Sequence, residues 1–302
     1  MPKLATPLLT SLLFAGSFIA GKYTTRDLGP LTTSFLRYLV ALIFLGILAP
    51  RFGYSKLRTS PSDISRFLGL GITGIVGYHY FFFLALRHTE VAHTAIINAL
   101  SPVVTGLMAA LFIRERLTLR NYFGVGLAVM GVLLLLTKGQ LSNLLSFDFA
   151  LGDILMLCSV ISWVAYALLV KSLSAHYHGF TITFYATLYG VCMLLLLATG
   201  ENLYGQLSSI SIPSIYAVLY MGIGASGLGY LFYNLSINNI GPTKTSGFVY
   251  SVVPVFVAVL SWAFFGEPIT GVMGLSAVMI LGGLHVMLRN QNSSKGFSNS
   301  RG

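Results

Sequence analysis

GFVYSVVPVFVAVLSWAFFGEPIT, residues 247–270, is apolar enough to be buried whole, yet it carries Pro254 at its middle and Glu267 near its end. TAIINALSPVVTGLMAALFIRERLT, residues 94–118, has the same layout with Pro102 and Glu115. Proline lacks an N–H and clashes with the carbonyl four residues back, so the carbonyls of Asn98 and Tyr250 are expected to lose their helical partners. Inside a bilayer such groups are tolerated only where protein or a wet cavity satisfies them. Two prolines at matching places therefore predict kinks that shape a central cavity.

Composition sets the solvent. The chain of 302 residues is 55% hydrophobic and 9% charged, with a mean hydropathy of +0.81, whereas soluble domains carry roughly a quarter charged residues. The class is an all-α integral membrane protein. The formal net charge of +10 would suggest nucleic acid in a soluble protein; here the basic residues sit mostly in short loops, which is topogenic charge, and no nucleic-acid partner is expected. Cys158 and Cys192 each lie in an apolar run and form no CxxC, so they are small core residues rather than a disulfide or metal site.

A spanning helix needs about 20 apolar residues at about 1.5 Å each. Ten stretches qualify: 6–24, 31–49, 67–86, 92–113, 119–137, 151–171, 180–199, 213–235, 244–265 and 268–288. With the N-terminus in the cytoplasm, 13 lysines and arginines fall inside and 4 outside, with Arg37 within a span; the bias puts both termini in the cytoplasm, in the cell (inner) membrane. The stretch RNQNSSKGFSNSRG after the tenth span has the composition of a disordered tail.

Pro102 and Pro254 stand 152 positions apart, and the same offset pairs Gly77 with Gly229, Tyr78 with Tyr230, Phe112 with Phe264, Glu115 with Glu267 and Gly131 with Gly283. Earlier in each half an offset of 149 pairs Phe14 with Trp163, Ser17 with Tyr166 and Lys22 with Lys171. The chain is therefore expected to hold two copies, residues 1–139 and 150–289, joined by loop 140–149 and followed by tail 290–302. Five spans is an odd number, so the copies enter the membrane in opposite directions. That inverted repeat is the plan of many secondary transporters, with the solute near the midplane between the copies.

The paired halves, each with a P…E span followed by a Gly-containing span, together with FxxxKY at 18–23 and WxxxALLVK at 163–171, resemble the EamA family of the drug/metabolite transporter superfamily over about residues 5–290. The resemblance implies a central pathway walled by spans one, three, four, six, eight and nine, with spans five and ten peripheral. It also implies that the solute is an amino acid or related small metabolite, commonly exported. The chain departs from the family at Phe14, where a tryptophan is common; the second half has Trp163.

GLGITGIVG at 69–77 and GIGASGLG at 222–229 contain GxGxxG, but inside spans, where small residues serve close helix packing rather than phosphate binding. Arg37 lies only about 9 Å along its helix and is expected to snorkel to the interface. His285 is read as structural, and His79 as either touching the cavity or bonding a neighbouring helix. Mid-span hydroxyls need partners, which turns Tyr78, Tyr166, Tyr230 and Tyr250 inward with Trp163, Asn98 and Asn234. The expected solute-binding cavity is thus Tyr78, His79, Asn98, Trp163, Tyr166, Tyr230, Asn234 and Tyr250, shaped by Pro102 and Pro254. Glu115, Glu267, Glu90 and Asp153 sit at span ends, so no carboxylate is expected at mid-depth.

The expectation is a secondary transporter, a monomer or weak homodimer, with no cofactor and no metal. An importer or exchanger of a phosphorylated or nucleotide-linked solute is the alternative, although it would want several cations where only Arg37 and Lys244 are near. A polytopic membrane enzyme would need a constellation such as HExxH; His88 and His93 in HTEVAH are five apart and face different sides of a helix.

Overall fold

The computed structural model describes residues 5–52, 59–113, 119–139 and 150–288, and every regular element among them is helical. The helices are α1 (Ala5–Thr24), α2 (Pro30–Phe52), α3 (Pro61–His88), α4 (Val91–Asn98 and, after a break, Ser101–Ile113), α5 (Leu119–Leu136), α6 (Leu151–Leu173), α7 (Gly179–Thr199), α8 (Ile212–Ile240), α9 (Pro242–Phe265) and α10 (Gly271–Leu288). A short helix, Leu203–Ser208, lies between α7 and α8. Glu115 and the loop and tail at 140–149 and 290–302 lie outside the described residues.

Seven stretches, in α2, α3, α4, α6, α7, α8 and α9, are long and apolar enough to cross a membrane. The apolar cores of α5 and α10 are shorter, and α1 is outside that set. Burial supports the same solvent. Ile47, Leu111, Phe123, Leu196 and Trp262 are exposed, whereas Thr33, Ser34, Arg37, Asn98, Thr183 and Asn234 are buried. Apolar side chains outside and polar ones inside suit a protein bathed in lipid.

Local chemistry sets the boundaries. Pro30 opens α2 and Pro242 opens α9, at a position where the missing N–H has no intrahelical role. Gly266, at φ 67°, closes α9 in a left-handed conformation with its N–H on the carbonyl of Trp262. The two prolines read as kinks behave differently. Ahead of Pro102 the helix breaks at Ala99 and Leu100, whereas α9 runs through Pro254 as one helix.

The two parts of the chain interlock rather than lie side by side: α2 packs on α7, α5 on α10, α1 on α8 and α9, and α3 on α6. At the α2–α7 contact, Phe52 stacks on Phe180 with centroids 4.4 Å apart. In α5, a Cβ at Gly131 would lie 2.9 Å from the Ser276 carbonyl of α10, so that pair meets backbone to backbone.

The glycine segments do more than pack closely. Residues Gly71–Gly77 of α3 and Met221–Gly229 of α8 are π-helical, a widening frequent at functional sites. The expected close approach is present as well: a Cβ at Gly71 would sit 3.1 Å from the backbone nitrogen of Gly190 in α7, and one at Gly222 would sit 2.8 Å from the Arg37 carbonyl of α2.

Candidate functional site

Trp163, in the middle of α6, organises the centre. Its ring centroid is 4.8 Å from Tyr78, 5.2 Å from Tyr166 and Tyr230, 4.9 Å from Tyr233, 5.9 Å from Phe14 and 6.5 Å from Tyr250. Its indole N–H donates to Tyr233 Oη at 3.1 Å, and that hydroxyl lies 2.8 Å from Ser246 Oγ in α9. Phe14 fills the first-half position where the family resemblance puts tryptophan, and it meets Trp163 edge to face.

The π segment of α3 supplies a backbone acceptor here. The Gly74 carbonyl receives the Tyr230 hydroxyl at 3.0 Å and lies 3.1 Å from His79 Nδ1. His79 also lies 3.3 Å, by Nε2, from the Tyr38 hydroxyl, so it both touches the central gap and bonds a neighbouring helix. Asn98 Nδ2 donates to Tyr78 Oη at 3.3 Å, and Asn98 Oδ1 accepts from Ser101 Oγ at 3.1 Å across the break in α4. Asn234 Nδ2 donates to Tyr166 Oη at 2.8 Å and to Thr183 Oγ1 at 2.9 Å. Tyr250 is buried with no hydrogen-bond partner for its hydroxyl.

Of the residues expected from sequence, Tyr78, His79, Trp163 and Tyr230 line one central gap of about 20 Å³, together with Arg37 and Phe14. Asn98, Tyr166, Asn234 and Tyr250 are buried around it rather than on its wall. Pro102 and Pro254 do not line it. In this conformation the gap holds about one water.

Arg37 corrects the snorkelling expectation. It is 2% exposed, and its Nε donates to Ser226 Oγ in the π segment of α8 at 2.8 Å. Small residues of α8 leave room for the guanidinium inside the bundle, so it need not reach the interface. The row Thr33, Arg37, Ala41, Leu45 and Ala49, four apart on α2 and all buried, was the available signal: a helix face with alanines at that spacing is a packing face.

A second, larger space opens at one end of the bundle. This cleft of about 570 Å³ is lined by Lys22, Arg87, His93, Asp153 and Glu267 among others. Asp153, at the start of α6 as the sequence suggests, is nonetheless 1% exposed; its Oδ1 accepts from Thr89 Oγ1 at 3.1 Å and lies 3.7 Å from His93 Nδ1. Glu267, just past the end of α9, reaches the start of α4, where its two oxygens accept from the N–H groups of Val91 at 3.1 Å and Ala92 at 3.2 Å. Glu201 does the same for α2, accepting from Leu31 at 3.3 Å and Thr32 at 2.8 Å. A carboxylate at a helix N-terminus satisfies orphan donors and opposes the helix dipole. Lys22 Nζ complements this at the end of α3, donating to the carbonyls of Leu86 at 2.6 Å and Thr89 at 3.1 Å.

A helical bundle with apolar outer faces, polar interior networks and a buried aromatic centre is the build of a membrane carrier. The chain belongs to the EamA-like transporter family, whose model matches residues 3–137 and again 150–289. It is 29% identical to YyaM, an uncharacterized transporter of Bacillus subtilis (strain 168), over 91% of this chain and 89% of that protein. It is 23% identical to a probable terminal-alkyne amino-acid exporter of Streptantibioticus cattleyicolor, over 95% of this chain and 96% of that one. A solved crystal structure with 19% identity superposes at a TM-score of 0.67, covering 95% of this chain and 97% of its own, which supports the fold. The protein is a multi-pass membrane transporter.

Proposed function

We propose that the protein exports amino acids or related small metabolites across the cell (inner) membrane by alternating access, as ten crossings in two inverted copies, residues 1–139 and 150–289, with both termini in the cytoplasm. The observation that carries this reading is the pairing of an open polar cleft of about 570 Å³ at one end with an aromatic centre closed to about 20 Å³. An alternating-access carrier in a one-sided conformation has that form: a vestibule on one side and an occluded site beneath it. By the lysine and arginine bias the cleft faces outward. Phe14 and Trp163, paired by the sequence offset, meet at 5.9 Å, as residues related by a two-fold axis in the membrane plane do when they lie near it. The amino-acid class is supported by the similarity to the probable amino-acid exporter of Streptantibioticus cattleyicolor and by a centre of Tyr, Trp and Asn side chains suited to stacking and a few hydrogen bonds.

The test is counterflow in proteoliposomes against a panel of labelled amino acids, with and without a pH gradient. Saturable uptake accelerated by unlabelled amino acid inside is expected. Uptake no greater than in protein-free liposomes for the whole panel would remove the amino-acid reading. Tyr250→Ala and Trp163→Ala should lower the flux while the protein still inserts.

A further inference from the structure

We infer that Arg37 is the docking point for a carboxylate on the transported solute, an assignment that rests on the transport reading above. The guanidinium stays charged in any protein environment, and at 2% exposure it has been taken out of water. Its polar contact is the single Nε bond to Ser226 Oγ at 2.8 Å, and Nη1 is buried with no partner. The faces of Tyr38 and Phe83, 5.5 and 5.7 Å away, attract the cation without neutralising it.

No ion pair among the described residues includes Arg37. The described carboxylates are committed elsewhere: Asp27 to Ser211 and Ser214, Asp63 to Arg66 and Tyr177, Asp153 to Thr89, Glu201 and Glu267 to helix N-termini, and Glu90 to the end cleft. A buried cation without its anion is costly, and within a bundle such a charge marks a pathway. Arg37 borders the central gap with Tyr78, His79, Trp163 and Tyr230. An anion placed there would meet the guanidinium, whose charge has no carboxylate of the protein beside it.

The charge balance selects the chemistry. Arg37 is the one permanently charged side chain on the wall of that gap. A phosphomonoester carrying nearly two charges calls for more than one cation, whereas a single carboxylate matches one guanidinium through its planar fork. The surrounding ring faces suit an ammonium or an aromatic group on the same molecule. A gap of about 20 Å³ admits about one water, so docking accompanies opening of the aromatic cluster.

The experiment follows thermal unfolding of the purified protein with acetate, alanine and phenylacetate, each compared with the matching amine lacking the carboxylate: methylamine, ethylamine and benzylamine. At least one acid should raise the wild-type midpoint while its amine does not. In Arg37→Met, a shape-matched apolar variant, the concentration needed should rise about tenfold or more, with Arg37→Lys in between. Equal stabilisation by acids and amines, no stabilisation by any acid, or an undiminished effect in Arg37→Met would overturn the assignment. Should neither variant fold, the wild-type comparison of acid with amine decides. Carboxylate-dependent stabilisation without counterflow would sink the transport reading and leave the site standing; counterflow indifferent to Arg37→Met would do the reverse.

Discussion

The π segments of α3 and α8 hold corresponding places in the two parts of the chain, yet they serve opposite polarities. In α3 the widened turn offers a carbonyl, Gly74, to two donors, Tyr230 and His79. In α8 the widened turn offers a hydroxyl, Ser226, to a buried cation. A shared backbone departure therefore sets where polar groups can sit, and the side chains around it decide their sign. Small residues are essential to both because each segment lies against another helix at backbone distance.

The largest effect is expected where that backbone contact is filled. Gly222→Val places a Cβ 2.6 Å from Val40 Cβ and 2.8 Å from the Arg37 carbonyl; overpacking against backbone should cost about 3 kcal/mol and show as a lower thermal midpoint and loss of the monodisperse peak in detergent. Gly224→Ala, whose Cβ would find its nearest neighbour at 3.5 Å, should be close to neutral. Equal behaviour of the two variants would remove the packing argument.

Ser226→Ala leaves the guanidinium with one more unpaired nitrogen, and the midpoint should fall by the equivalent of about 2 kcal/mol. In a double-mutant cycle that loss should shrink when Arg37 is already Met; an additive result would mean that the hydroxyl does not serve the cation. Tyr230→Phe should cost about 1 kcal/mol, since the Gly74 carbonyl keeps His79 as a neighbour.

The smallest expected effect lies outside the membrane. Hydrogen bonds from Ser211 and then Ser214 hold the Asp27 carboxyl below its ordinary value of 3.8, fixing the residue that caps α8. Because the folded-state value is depressed, this contribution is complete above pH 3.8 and fades as pH falls below it through the depressed value. A shallow drop in the midpoint in that window, absent from Asp27→Asn, is the expected outcome.

Much of this was legible in the sequence. Apolar stretches gave the helices, the offset of 149 paired Phe14 with Trp163, whose rings meet at 5.9 Å, and mid-span tyrosines with asparagines located the polar interior. Three features were not, for physical reasons. π segments of seven and nine residues are too short to show their own i→i+5 periodicity in a sequence, so the glycine runs signalled close packing but not widening. Arg37 resembles a snorkelling residue by depth alone, and only the opposing helix shows that there is room for it inside. The large cleft depends on the ends of α1, α3, α4, α5, α6 and α10 coming together, which no single span encodes. Even the prolines divide: Pro102 follows a true break, while α9 absorbs Pro254.

Three helix starts in this molecule are secured by distant chain. Glu201 and Glu267 complete α2 and α4, and Asp27 secures the start of α8. During synthesis, the first N–H groups of α2 and α4 have water as their partner until residues more than a hundred positions downstream emerge. A chain ending before Glu201 would lack both seals, and one ending between Glu201 and Glu267 would lack only that of α4.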